Sequence, residues 1–180
     1  MSDAFDSKYE VAAESFGNVV KARPSTWLLD HKKDVHSQTG EDGIIEAILS
    51  ALGERDKWCV EFGAWNGQHL SNTWNLIHNS GYRAVLIEGD SSRYQDLCST
   101  YNGNSRVVAV NAFVGFDPHN GLDSILADTS IPRDFDFCAI DIDGNDDLSP
   151  LIHPPMSRVL ASFEPWWLGD ATGRGAEPSM

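Results

Sequence analysis

The stretch Trp58-Cys-Val-Glu-Phe-Gly-Ala-Trp-Asn-Gly67 decides the fold of this 180-residue chain. It starts as an apolar run of strand length, and its two glycines permit a tight turn into the next element. The helix that follows is predicted to present Leu70, Trp74 and Ile77 on its apolar face and to end at Gly81. Strand, turn and helix in this order are typical of a parallel sheet with crossover helices.

Three further strands follow along the chain. They are predicted at Ala84–Glu88, Val107–Val110 and Phe135–Asp141, with helical patterns between them. Strands that are buried on both faces read as nearly continuous apolar runs. The segments therefore indicate an α/β fold, a Rossmann-like parallel sheet with flanking helices. One more helix is predicted before the first strand, from a capping-box-like start at Thr39 to Gly53.

The two ends of the chain depart from this alternation. Residues 1–35 lack periodicity and are predicted to be a leader that docks only in part on a core at 36–148. Residues 149–180 hold five of the eight prolines and form an atypical tail. Because proline is poorly tolerated inside a central strand, the sheet is expected to lack its C-terminal strands. The fourth strand would then expose an edge through which chains could self-associate.

Composition excludes several classes of function. Thirteen basic against 27 acidic residues give a net charge of −14, which argues against a nucleic-acid partner. The apolar runs are too short to span a membrane and no secretory signal is evident, so a cytoplasmic protein is expected. The three cysteines, Cys59, Cys98 and Cys138, have no short spacing, so neither a disulfide framework nor a zinc cluster is indicated.

Acidic residues stand at the ends of the first two strands. In a parallel sheet, ligands bind beyond the carboxyl ends of the strands. Glu61 precedes Gly63 at the first end, and Glu88 stands 21 residues after Gly67 at the second. A carboxylate about that many residues after the glycine turn can accept hydrogen bonds from both hydroxyls of a ribose. The alternative is that the glycines only form a turn and the acids face water, but both acids follow buried apolar residues, where an unpaired carboxylate is costly.

The residue types favour a positively charged ligand. A dinucleotide fingerprint requires glycine where this chain has Trp65, and Glu61 would repel a pyrophosphate. The sulfonium and ammonium groups of S-adenosylmethionine suit an acidic strand end, while its carboxylate could face a helix N-terminus. A nicotinamide-dependent oxidoreductase and a non-catalytic Rossmann-like binding module remain the alternatives.

Four segments stand in order along the chain: Ser37-Gln-Thr-Gly-Glu-Asp-Gly43, Val60-Glu-Phe-Gly-Ala-Trp-Asn-Gly67, Leu86-Ile-Glu-Gly-Asp90 and Ala139-Ile-Asp-Ile-Asp-Gly-Asn-Asp146. Together they resemble the FkbM-type branch of the class I S-adenosylmethionine-dependent methyltransferases, over roughly residues 36–147. The resemblance implies O-methyl transfer to a small-molecule or sugar hydroxyl. Because a complete fold of this class has about three more strands, it also implies a truncated chain with reduced activity.

The same resemblance implies a set of cofactor-binding residues around the strand ends. Within it, Glu88 is expected to hold the ribose hydroxyls, and Asp141 to face the methionine part or the acceptor as the catalytic candidate. His69, beside the glycine loop, is the other candidate base, although a lone histidine is more often structural. Ser37, Gln38, Glu41 and Asp42 are expected at the methionine end, although helix capping explains Thr39 and Asp42 equally well. The implied cofactor-binding residues are Glu61, Gly63, Ala64, Gly67, Glu88, Gly89, Asn111, Ala112, Phe113 and Asp141.

An alternating acidic segment follows the fourth strand. Asp141, Asp143 and Asn145 would point the same way in an extended chain and could hold a magnesium or calcium ion. The simpler interpretation is that Asp143 and Asn145 only cap the next helix.

Overall fold

The computed structural model of the chain describes residues 26–52, 56–115, 117, 119–140 and, as backbone only, 157–162. Its helices and strands alternate, as the sequence predicts. In chain order they are a short 3₁₀ helix at Trp27–His31, α1 Glu41–Ala51, β1 Trp58–Phe62, α2 Trp74–Asn79, β2 Arg83–Glu88, α3 Ser91–Thr100, β3 Val107–Asn111, α4 Leu122–Ala127, β4 Phe135–Ile140 and β5 Ser157–Ser162.

The strands form one parallel sheet in the order β3-β2-β1-β4-β5. Central strand β1 pairs with β2 on one side and β4 on the other, so that Val60 lies opposite both Val85 and Cys138. The chain thus runs outward from β1 to β3 and then crosses back to β4. The carboxyl ends of β1 and β2 therefore lie beside the point where strand order reverses, which is where ligands bind in open α/β sheets. The predicted Rossmann-like arrangement is confirmed.

The core consists of two apolar layers, one on each face of the sheet. Successive strand residues point to opposite faces, so Cys59 and Leu86 belong to one layer and Val60 and Val85 to the other. The first layer is covered by apolar residues of α1, α2 and α3, and the second by those of α4. Both faces of the sheet are covered, which explains why the strands are apolar throughout.

The proline-rich tail contributes a strand, contrary to expectation. Strand β5 at Ser157–Ser162 pairs in parallel with β4, with Val159 opposite Phe137. The expectation that β4 forms an exposed edge of the sheet is therefore wrong. The segment contains no proline, but its apolar run of three residues is too short to stand out beside the prolines on either side of it. The rest of the atypical tail, at 149–156 and 163–180, lies outside the described residues.

Helix α2 begins later than its apolar spacing suggests. The predicted helix includes Leu70, but the structure places this residue in a loop, exposed and with a φ of 57°. The helix starts only at Trp74. The apolar spacing of Leu70, Trp74 and Ile77 therefore spans a loop and a helix, and the helix N-terminus does not follow directly on Gly67.

The start of α1 is not a capping box. Its N-cap residue is Gly40, in the left-handed region at a φ of 99°, and the Thr39 hydroxyl donates to the side chain of Glu41 instead of capping the helix. The Asp42 side chain binds the segment that precedes the helix. Its Oδ2 accepts the backbone N–H groups of residues 35, 36 and 37 at 2.8–2.9 Å. This carboxylate ties the end of the predicted leader to the core.

The residues just before that segment are also docked. Trp27 is buried, and the 3₁₀ helix that carries it packs against α1. Within the described ranges, no helix is both long enough and apolar enough to cross a membrane.

Candidate functional site

A cavity of about 420 Å³ lies at the carboxyl ends of β1, β2 and β3. Its volume is within the range of small-molecule sites, and its position is the one expected for a ligand in this topology. Apolar side chains form much of the wall, and one carboxylate and one guanidinium are among the polar groups. The lining residues are Gln38, Phe62, Gly63, Trp65, His69, Leu70, Ile87, Glu88, Gly89, Arg93, Ala112, Phe113 and Val114.

Glu88 is the carboxylate of this cavity, and it is only 6% exposed. Its Oε2 accepts the N–H of Trp65 at 2.8 Å, and its Oε1 accepts the N–H of Asp90 at 2.8 Å. These bonds join the loop after β1 to the turn after β2. An ionised carboxylate can accept about four hydrogen bonds. Glu88 therefore keeps capacity to accept hydroxyl hydrogens from a ligand.

The loop after β1 holds a non-glycine residue in the left-handed region. Gly63 has a φ of 77° and Trp65 a φ of 46°. For a side chain as large as tryptophan, that conformation costs on the order of 1–3 kcal/mol. The hydrogen bond to Glu88 helps to offset the cost. Trp65 is 40% exposed and lines the cavity.

Arg93 packs on this ring, with its guanidinium carbon 4.8 Å from the ring centroid. The helix that carries Arg93, α3, is capped by Asp90, whose Oδ1 accepts the N–H groups of Ser92 and Arg93 at 2.9 Å. The hydrogen bond from the Arg93 N–H is the main cause that lowers the pKa of Asp90. A well-capped α3 thus fixes where the guanidinium enters the cavity.

Glu61 is directed away from the cavity and is 2% exposed. Its Oε1 accepts the Asn72 N–H at 2.9 Å, and its Oε2 accepts the hydroxyls of Ser71 at 2.7 Å and Thr73 at 2.6 Å. These three residues immediately precede α2. The carboxylate therefore satisfies the start of that helix and lies at the positive end of its dipole.

Burial and the charge of Glu61 also act on nearby groups. Burial, and then Glu61, raises the pKa of the Cys59 and Cys138 thiols and that of Tyr101. The Tyr101 hydroxyl thus stays protonated and donates to the carbonyl oxygen of Gly67 at 2.7 Å. The two thiols are kept in their unreactive protonated form.

The third part of the wall follows β3. The Asn111 side-chain amide donates to the carbonyl oxygens of Glu88, at 2.7 Å, and Gly89, at 3.2 Å. It holds the ends of β2 and β3 together and does not line the cavity itself. The Phe113 ring lies against Gly89, where a Cβ would be 2.5 Å from it, and is 76% exposed. A side chain at position 89 would therefore require the Phe113 ring to move.

The ten implied cofactor-binding residues thus separate into three groups. Those that line the cavity are Gly63, Glu88, Gly89, Ala112 and Phe113. Those that lie behind it are Glu61, Ala64, Gly67 and Asn111. Asp141 lies outside the described residues, as do Asp143 and Asn145, so the catalytic candidate and the acidic segment stay predictions. In the described part of the chain, no three His, Cys, Asp or Glu side chains are grouped as a metal site.

Sequence reasoning missed Arg93 and considered Trp65 as a departure from the dinucleotide fingerprint. The signal for Arg93 was its position in the first turn of a helix that starts at a strand end. No sequence pattern distinguishes this position from an exposed helix residue. Gln38 and His69, both noted from the sequence, do line the cavity.

A second cavity of about 400 Å³ lies beside the first. His69 and Leu70 line both. Its wall consists of the segment that Asp42 ties down and the loop that follows Trp65. The lining residues are Val35, His36, Ser37, Asn66, Gln68, His69 and Leu70.

Comparison of the chain with protein-family models, curated proteins and solved structures finds no match.

Proposed function

We propose that the first cavity binds S-adenosylmethionine and that the protein transfers its methyl group to an oxygen nucleophile. The proposal depends above all on Glu88. It is a buried carboxylate at the end of β2, in the wall of a cavity of cofactor size, with acceptor capacity left for two ribose hydroxyls.

The remaining wall suits an adenosyl group. Ala112, Phe113 and Val114 offer an apolar surface for a flat base next to Glu88. Gly63 and Gly89 present backbone without side chains, so a ligand can approach closely. The carboxylate of Glu88 and the guanidinium of Arg93 give the lining both signs of charge, which suits a ligand that itself carries both.

Glu61 receives a different role from the one that its position in the sequence favours. Its carboxylate oxygens are bonded to the residues that start α2. We assign it the positioning of the loop between β1 and α2, which includes Trp65 and His69. The positive part of the ligand must then be met by other groups of the wall.

When bound, S-adenosylmethionine supplies an electrophilic methyl group on a sulfonium. The protein has to hold an acceptor oxygen in line with that methyl group and keep water away, and such positioning provides much of the rate in reactions of this kind. The rigid loops around Glu88 and Trp65 are suited to that task.

Arg93 favours one rival ligand, a phosphorylated nicotinamide cofactor, whose 2′-phosphate an arginine commonly accepts. Glu88 opposes this rival, because its carboxylate would lie close to the phosphate. NADPH is therefore included in the binding test.

The test is calorimetric titration of the full chain with S-adenosylhomocysteine and, separately, NADPH. We expect S-adenosylhomocysteine to bind and Glu88→Gln to weaken binding at least tenfold, because a charge-assisted hydrogen bond is worth about 1.5–3 kcal/mol. Asp96→Asn is the matched control, since it removes the same charge from an exposed position on α3 outside the cavity. The proposal would be refuted if 1 mM S-adenosylhomocysteine shows no binding, which means a binding free energy weaker than about −4 kcal/mol. Tighter binding of NADPH than of S-adenosylhomocysteine would also refute it.

Turnover separates an enzyme from a binding module. Labelled S-adenosylmethionine should lose its methyl group to an added hydroxyl compound. Binding without transfer to any acceptor would favour the non-catalytic alternative.

A further inference from the structure

We infer that the second cavity is the acceptor site, that it takes an uncharged polyhydroxy compound, and that His69 accepts the proton of the reacting hydroxyl. This inference rests on the proposed function of the first cavity. It adds where the acceptor binds, what charge the acceptor has and which group takes its proton.

His69 lies at the boundary between the two cavities. A methyl group that leaves a donor in one cavity has to cross the boundary to an acceptor in the other. His69 and Leu70 form that boundary, since both line the two cavities. Of the two, only the imidazole can accept a proton. Imidazole is also the side chain best suited to proton transfer near neutral pH.

The wall of the second cavity offers neutral polar groups. The polar side chains of the second cavity are Ser37, Asn66, Gln68 and two imidazoles, and among the residues that the structure describes its lining contains no carboxylate, ammonium or guanidinium. Neutral donors and acceptors of this kind bind hydroxyl groups. A phosphate or carboxylate would find no counter-charge in this wall, in a chain of net charge −14.

Both sides of the second cavity are held rigid in the same way. Asp42 accepts three successive backbone N–H groups that end at Ser37. On the other side, Asn66 Oδ1 accepts the N–H of Gln68 at 3.0 Å and that of His69 at 2.9 Å. The His69 ring also lies edge-on to Trp65, with centroids 5.2 Å apart. A site whose walls are fixed before binding loses less entropy when the ligand enters.

The other histidine of this wall is less suited to the proton transfer. The His36 ring packs on Trp74, at a centroid distance of 3.7 Å, and lines the second cavity but not the first. It is therefore placed to bind the acceptor but not at the boundary with the donor.

The transfer conserves atoms and charge, because the released proton carries away the positive charge of the sulfonium. The acceptor oxygen forms a bond to the methyl carbon, and the bond from that carbon to sulfur breaks with its electron pair passing to sulfur, so the sulfonium becomes a neutral thioether. The hydroxyl proton passes to an imidazole nitrogen of His69 and then to solvent. No oxidant, reductant or metal is required.

The first experiment measures acceptor binding without a methyl donor. The probes are methyl α-D-glucopyranoside, which is neutral, and glucose 6-phosphate and glucosamine, which are charged. We expect the neutral probe to shift the imidazole signals of His36 and His69 in proton NMR, and the charged probes to bind at least fivefold more weakly. His119→Asn is the control, because His119 is an exposed histidine outside both cavities. Unshifted signals, or equal binding of a charged probe, would overturn the inference.

The second experiment measures transfer with both sites saturated. His69→Asn should lower kcat for methyl transfer to methyl α-D-glucopyranoside at least 100-fold, within the range for a lost general base. Because His69 also lines the first cavity, the affinity for S-adenosylhomocysteine is measured alongside and should change far less than kcat. Gln68→Ala should raise KM and leave kcat within threefold. No transfer by the wild type, or an unchanged kcat in His69→Asn, would also overturn the inference. Failure of wild-type S-adenosylhomocysteine binding would refute the proposed function instead.

Discussion

Gly67→Ala provides a direct test of how the loop after β1 is packed. Gly67 has a φ of 69°, and a Cβ there would lie 2.5 Å from Tyr101 Cε2 and 2.7 Å from Leu97 Cδ1. Both neighbours are buried, so neither can easily give way. The left-handed conformation costs an alanine on the order of 1 kcal/mol, and overpacking of a core adds about 1–3 kcal/mol. We expect a total loss of about 3 kcal/mol in the free energy of unfolding.

The controls are Gly81→Ala and Gly103→Ala. These glycines also have positive φ angles, 74° and 77°, but a Cβ on either would meet no atom within 4 Å. Each should lose only the conformational cost of about 1 kcal/mol. Urea unfolding followed by circular dichroism gives the free energy of unfolding of all three variants on one scale. In thermal unfolding, the melting temperature of Gly67→Ala should fall by about 6–12 °C, since 1 kcal/mol corresponds to about 2–4 °C for a chain of this size. Equal losses in the three variants would show that Gly67 is not packed against Tyr101 and Leu97, and would refute the reasoning.

Three further predictions concern buried ionisable groups. The pKa values of Cys59 and Cys138 are raised in the folded state, so as pH rises the unfolded chain loses these protons first. The free energy of unfolding should therefore fall by about 1 kcal/mol per thiol between about pH 8.5 and about pH 9.5. Urea unfolding in reductant should show this loss reduced in Cys59→Ala and unchanged in the control Cys98→Ala. Glu61→Ala should lower the free energy of unfolding by about 3 kcal/mol, since it leaves buried donors before α2 without their acceptor; a loss below 1 kcal/mol in the same assay would contradict the capping role. Asp42→Ala should cost about 2 kcal/mol and increase hydrogen exchange at the three amides that it binds, and unchanged exchange there would contradict the bond pattern.

The parallel sheet could be predicted because burial on both faces leaves a strong signal in the sequence. The run Ala84–Glu88 needs no partner to be recognised as a buried strand, and β2 occupies Arg83–Glu88. The fifth strand could not be found in this way. Only the middle of Ser157–Ser162 is apolar, and it pairs with β4 through backbone hydrogen bonds that any non-proline residue can make.

The candidate site was predictable only in part, for a similar reason. The end of β2 identifies Glu88 directly, because the position of a strand end is a local property. The partners of Glu61 are ten to twelve residues away along the chain, and no periodicity connects them to it. One local signal was available. Ser71 and Thr73 are good residues for a helix start, and they favoured a helix that begins at Trp74 over one that includes Leu70.

The two acidic strand ends show why such a pattern cannot assign a ligand contact by itself. In the pairing of β1 with β2, Glu61 lies opposite Leu86, which is two residues before Glu88, so the two acids point to the same face of the sheet at different positions along the strands. Glu61 belongs to the face that α2 covers, and hydroxyl and amide donors from the start of that helix surround it. Glu88 belongs to the edge where the strand turns at Gly89, and there its carboxylate reaches the cavity wall. The offset of two residues along the strands, rather than the identity of the acids, places Glu61 at the start of α2 and Glu88 at the cavity.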